Sequence, residues 1–194
     1  MDALEFFALR YDNVHTVMTS RLLDGLTDEQ LRQRPHGVNS IAWLLWHLAR
    51  CEDVGVNRLV VDRPQLLDDE SWLARLGVPR RDIGTGMTSD EVDDLSARVD
   101  LAALRDYWDS LHRRTQAVVR GLRATDLAGA VDPAYIHRVI GEEGVLGPNG
   151  AWVEPIWAEQ PNRGWFLAQL ALAHHYGHIS EAQVTRGLLG FPGR

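Results

Sequence analysis

Three of the chain's eight histidines, His174, His175 and His178, fall within five positions of the stretch ALAHHYGHISEAQ, residues 171–183. Imidazole is the commonest metal-ligating side chain, and its ordinary pKa lies near neutrality, so such a cluster can hold a divalent ion or move protons. Position decides which members can act together. On a helix, residues four apart share a face about one turn apart, so His174 and His178 can address one ion. His175 points roughly 100° away from His174 and reads as a supporting group or an exposed one.

A third ligand must come from another segment. His47, inside the apolar run WLLWHLAR, is the best candidate, because an interior histidine needs polar company. Three imidazoles from two helices would leave positions open for water or substrate, as in a catalytic rather than a structural site. Zinc, nickel, iron and copper all accept nitrogen ligands, so ligand type does not choose among them. Cys51 lies four residues after His47 and offers a thiolate to the same ion, against the usual role of a buried lone cysteine as a small hydrophobe. Glu181, seven residues after His174, shares its face; it is the catalytic candidate, orienting an imidazole or shuttling a proton, and equally suits a plain surface position. Glu52 and Asp53 are the other acids near a candidate ligand in sequence. Paired histidines also occur on ordinary helix surfaces, and spacing leaves a metal site and a set of structural histidines both open.

The elements that must position these groups are helical. Apolar residues at Leu4, Phe7, Val14, Val17, Met18 and Leu22 give one helical face from Ala3 to Leu23. Thr27 and Gln30 have the spacing of a capping box for a short helix that Pro35 stops. Asn39 or Ser40 caps a second long helix, apolar on most sides, that runs through Leu59. Residues 62–87 show no sustained period and read as a long connection with one short helix around Trp72. Thr88 or Ser89 caps a short helix through Val99, and Asp100 caps the third long helix. Residues 124–161, rich in Gly and Pro, read as a second loop-like connection. Asn162 caps the last helix, which Gly190 and Pro192 stop. Four long helices and two long connections predict an all-α fold, a four-helix bundle spanning residues 1–194 as a single domain, with both connections able to cover a site.

Composition excludes several classes. The chain is 45% hydrophobic and 24% charged, as expected of a folded domain, and no apolar run reaches membrane-spanning length. A net charge of −7 leaves no clustered basic surface for nucleic acid, since the pairs Arg80–Arg81 and Arg113–Arg114 are isolated. One cysteine rules out an internal disulfide, and the acidic start MDALEFFALRYDN does not resemble a secretory signal; together they predict a cytoplasmic protein. No phosphate loop, dinucleotide fingerprint or serine-nucleophile motif is present; GTGMTS at 84–89 follows no strand and reads as a turn into a helix cap. Trp43, Trp46, Trp108 and Trp165 read as core. His15, His36, His112 and His137 have no partner at informative spacing.

At SIAWLLWHLARCED and HHYGHISEAQVTRGLLG the chain resembles the DinB-like superfamily, the DinB and YfiT-type metal-binding four-helix bundles, related to the N-terminal domain of mycothiol-dependent maleylpyruvate isomerase. Length and helix order agree throughout, while the specific motifs cover about thirty residues. The resemblance implies that His47, His174 and His178 are the metal ligands. A second register, used in some branches, would make His175 a ligand and leave Ala171 where its partner belongs. The function implied is a divalent-metal-dependent transferase or isomerase, with zinc or nickel and a low-molecular-weight thiol such as mycothiol acting on a small-molecule substrate. A metal-dependent hydrolase, or a non-catalytic metal- or ligand-binding bundle acting as a homodimer, are the alternatives.

Overall fold

The computed structural model describes residues 1–69, 71–160 and 162–191, and among them there are helices and no strand. Each long helix begins where a short polar side chain can satisfy free backbone N–H groups. Asp2 accepts from the N–H groups of Leu4 and Glu5 at the start of α1 (Ala3–Val17), which continues as a π-helical segment, Met18–Leu23. Thr27 and Gln30 form the expected capping box on α2 (Asp28–Arg32). Of the two candidate caps of α3 (Ile41–Glu52), Ser40 is the one used; α3 runs on as a π segment, Asp53–Val60. After α4 (Trp72–Leu76), Thr88 caps α5 (Ser89–Arg98) and Asp100 caps α6 (Leu101–Gly121). Beyond α7 (Pro133–Glu143) and α8 (Val153–Ala158), Asn162 opens a continuous rod: α9 (Arg163–Ala168), a π segment Gln169–Ala173, and α10 (His174–Leu188).

Four long helical rods pack together, with α3 against α6 and α10, and α1 against α6 and the last rod. Every residue of α3 is buried, as its all-round apolar sequence requires, so polar side chains on it must find partners inside the protein. One cluster of core residues, including Leu44, Trp46, Leu104, Leu111 and Ile179, fills the bundle. A second, including Val54, Ile136, Phe166 and Leu170, joins the π segment after α3 to the later connection and the last rod.

The reading of 124–161 as loop-like is corrected by α7 and α8. Asp132 caps α7, Pro133 occupies its first turn, Ile136, Val139 and Ile140 make its buried stripe, and Gly144 closes it in the left-handed region. The Pro and Gly that suggested a loop are the start and stop of a helix too short to show its period. The expected stop at Pro192 lies outside the described residues.

The two connections meet beside α3. Gly84 and Gly86 have φ of +82°, and a Cβ on Gly86 would lie 2.5 Å from the carbonyl carbon and oxygen of Asn149. A Cβ on Gly150 would in turn lie 2.6 Å from the Thr85 oxygen, so the two connections meet backbone to backbone. Gly86→Ala meets both a positive φ and a clash, and is expected to cost about 2 kcal/mol, lowering the thermal midpoint by about 4–8 °C. A calorimetric scan beside Gly121→Ala, where a Cβ meets nothing, checks this.

Candidate metal centre

The structure brings His47, His174 and His178 together, each offering one ligand atom within 4.8 Å of the others. His174 Nε2 lies 3.3 Å from His47 Nε2 and 3.1 Å from His178 Nε2. Two nitrogens bound at 2.0–2.1 Å to one tetrahedral zinc would stand about 3.3–3.4 Å apart, so these separations suit a shared ion.

The far side of two rings fixes their tautomers. His47 Nδ1 donates to the Ile83 carbonyl, and the ring stacks on Trp43 with centroids 4.7 Å apart. His178 Nδ1 donates to Glu181 Oε2 at 2.7 Å, and Asn39 Nδ2 holds Glu181 Oε1 at 2.8 Å. With Nδ1 committed to these partners, each of the two rings turns its Nε2 inward, and that nitrogen is the one free to ligate an ion. His174 can place at most one proton among three convergent nitrogens, and its buried Nδ1 has no hydrogen-bond partner. A cation bound to all three lone pairs fits this donor set better than any arrangement of neutral hydrogen bonds.

Electrostatics hold His47 and His174 deprotonated at neutral pH. Burial first, and the neighbouring imidazoles second, push His47 down to about 3 and His174 to about 2. The hydrogen bond from His178 holds the Glu181 carboxyl below its ordinary range, against the effect of burial, so a carboxylate stands beside the cluster at neutral pH. The unfolded chain takes up protons on His47 and His174 below about pH 6.5, whereas the folded chain resists them until near pH 3. This contribution to stability is therefore full above about pH 6.5 and is lost as pH falls towards 3. The thermal midpoint of metal-free protein should fall between pH 7 and 4, less steeply in His47→Gln; equal slopes in the two proteins would contradict this.

The other candidates lie elsewhere. Cys51 Sγ is 3.8 Å from both ring nitrogens of His47 but outside the convergent group, and burial pushes its thiol pKa far up, so it behaves as a small hydrophobe. His175 faces the bundle interior, with Nε2 3.1 Å from Glu52 Oε2 and its ring against Trp108, although the N–H direction misses the oxygen. Glu52 also accepts from Tyr11 and Thr115, and Asp53 from Arg50, Asn57 and Tyr107, so neither acid turns towards the three histidines. Trp43, Trp46 and Trp108 are core as expected, but Trp165 is only half-buried and lines a cavity. His15 and His112, unpaired in sequence, stack across α1 and α6 with centroids 3.9 Å apart, each on its own carboxylate, Asp109 and Asp12.

Sequence reasoning missed the groups that finish the site. Ile83 arrives on the first connection, and with Ser40 taking the cap, Asn39 is left to hold Glu181. The cluster opens into a cavity of about 350 Å³ bordered by Trp43, Thr85, Met87 and Trp152. A wider cavity of about 550 Å³ between the end of α1's rod and α6 shares no residue with it and has no such cluster.

The family model of the DinB superfamily matches residues 13–182, a span that includes all three histidines. The chain belongs to the DinB superfamily. A conserved protein from Enterococcus faecalis, known from its crystal structure, shares this DinB fold with a TM-score of 0.72 over 98% of this chain and 99% of that one, at 18% identity. No curated protein matches this DinB chain.

Proposed function

We propose that this DinB-superfamily chain is a metal-dependent enzyme in which His47, His174 and His178 hold one divalent ion, zinc or nickel, and a low-molecular-weight thiol such as mycothiol is its cosubstrate. The convergence of three Nε2 lone pairs on one point at the floor of a cavity carries this reading. When bound, the ion supplies a position for the thiol sulfur and favours its thiolate, the form that attacks an electrophilic small molecule in transferase or isomerase chemistry.

The chain's own residues do the remaining work. Ile83 and Glu181 fix the rings of His47 and His178 through their Nδ1 protons, and such partners also raise the basicity of the ligating nitrogen. Trp43 and Met87 keep water from one side of the triad, the Trp43 indole donating to Met87 Sδ at 3.1 Å. Glu181, half-exposed beside His178, is the group placed to exchange a proton with solvent. Its main role is positioning: Glu181→Ala should weaken zinc binding about 10–100-fold, read by competition with a chromophoric chelator, with helical content unchanged.

The experiment that tests the enzyme reading loads the protein with zinc or nickel and follows thiol consumption against an aryl halide electrophile. Turnover that vanishes in His178→Ala while circular dichroism stays native supports it. A fully loaded protein that is inert with every thiol tested overturns the thiol chemistry, and in that case hydrolysis is the next reaction to assay. The buried free thiol suits a reducing cytoplasm. No helix among the described residues is long and apolar enough to cross a membrane. Exposed Phe6 and Leu9, neighbours on α1, offer apolar surface to a homodimer; sedimentation of Leu9→Glu beside the native chain tests it.

A further inference from the structure

A second cavity, of about 180 Å³, adjoins the histidine cavity, and Thr85, Trp152 and His174 line both. Its walls are apolar: Ile156 and Trp157 come from α8, Trp165 from α9, Leu170 from the π segment and Ile83 from the first connection. Edge-to-face contacts of Trp157 and Trp165 with Phe166, centroids 6.2 and 5.1 Å apart, hold two of these walls. The π segment sets the geometry. In an α-helix Gln169 and His174, five residues apart, would diverge by about 140°. The i→i+5 bonding of Gln169–Ala173 brings them back towards one face, and both line this cavity. Beside His174, Thr85 and Gln169 supply polar groups in a mostly apolar lining, and neither of these two side chains has a hydrogen-bond partner among the described residues. Trp152, 59% exposed, stands at the edge of both cavities.

We propose that this cavity binds the aromatic or branched aliphatic part of the substrate whose polar head is taken at the three-histidine site. The proposal rests on the metal reading above and names the substrate class. An apolar cavity of about 150 Å³ is enough to bind benzene, so a single ring or a branched chain of similar size fits and a long acyl chain does not. No arginine lines either cavity, although every one of the chain's 20 basic residues is arginine, so neither cavity offers the bidentate side-chain partner that suits a phosphorylated or multiply anionic group, and the lining favours a neutral body. A few placed polar groups in an apolar pocket are what fix the orientation of a small neutral ligand body.

Two probes with the same metal-binding head, acetohydroxamate and benzohydroxamate, are titrated by calorimetry into zinc-loaded protein. Each affinity is corrected for that of the hydroxamate for free zinc. Benzohydroxamate should bind about 10–100-fold tighter, the range expected for burying one phenyl ring. In Ile156→Asp, at a wall position 45% exposed and so safe for folding, the preference should drop below about threefold with acetohydroxamate affinity unchanged. A metal-independent arm titrates benzene into metal-free protein labelled with nitrogen-15. The indole N–H signals of Trp157 and Trp165 should shift while that of the core Trp46 does not. Equal binding of the two hydroxamates with unmoved indole signals overturns the subsite and leaves the metal reading standing. Shifted indole signals with neither hydroxamate bound overturn the metal reading, and with it the assignment of this cavity to a metal-held substrate.

Discussion

His178→Ala should weaken metal binding by two to three orders of magnitude, about 10²–10³-fold, while leaving the fold intact. Native protein prepared without chelator or a metal-binding tag is expected to carry about one equivalent of a divalent ion by elemental analysis. Zinc binding of about 10–16 kcal/mol over four protein ligands in zinc-finger sites amounts to about 2.5–4 kcal/mol per ligand, so losing one imidazole should weaken affinity about 10²–10³-fold. The fold should survive because α10 is anchored in the core by Ile179 and Ala182, whereas His178 is partly exposed and faces the cavity. Replacing the buried His47 adds a different cost, since it strands the Ile83 carbonyl it bonds, so His178 is the cleaner site to change. No metal in either protein after dialysis against zinc and nickel would sink the centre. Loss of metal together with loss of helical structure would make the ion structural rather than part of an open, reactive site.

The two segments that meet at this centre were legible in sequence for a simple reason: helical spacing of four placed His174 and His178 on one face, and an apolar run forced His47 to seek polar company. Capping chemistry located most helix starts, because Ser, Thr, Asp and Asn satisfy N–H groups locally, within three residues. What could not be read was non-local or lacked a signature. Ile83 enters the site through its carbonyl, which any residue would provide. His15 and His112 meet only because α1 packs on α6. The π segments leave no trace in periodicity, yet the one before His174 turns Gln169 and His174 towards one face, so that both line the second cavity. In α7 the turn-forming residues were visible, but three apolar positions between them were too few to mark a helix.

Asp53→Ala should be the most destabilising single change at a residue that touches neither cavity. Its carboxylate is fully buried and accepts from the N–H groups of Leu66 and Leu67 at 2.7 and 2.9 Å, from Asn57 at 2.7 Å, from Arg50 at 2.9 Å and from Tyr107. Arg50, also fully buried, reaches on to Gln65 and to the Arg81 carbonyl. Removing Asp53 leaves a buried guanidinium without its counter-charge and two backbone N–H groups unpaired, which should cost about 3–5 kcal/mol, and about 6–20 °C in thermal midpoint. Against a total stability of about 5–15 kcal/mol this is a large fraction. The same bonds tether the connection that carries Ile83 two residues after Arg81, so His47 should lose its fixed orientation and zinc affinity should fall about tenfold although Asp53 is no ligand. Arg50→Met/Asp53→Leu separates the two effects. With both charges gone the double variant should recover much of the stability lost by the single one, as buried pairs replaced by apolar side chains commonly do. Its zinc affinity should stay low, because the N–H groups of Leu66 and Leu67 still have nothing to hold them. Recovery of both stability and affinity would show instead that the tether plays no part and that the uncompensated charge alone disturbs the centre.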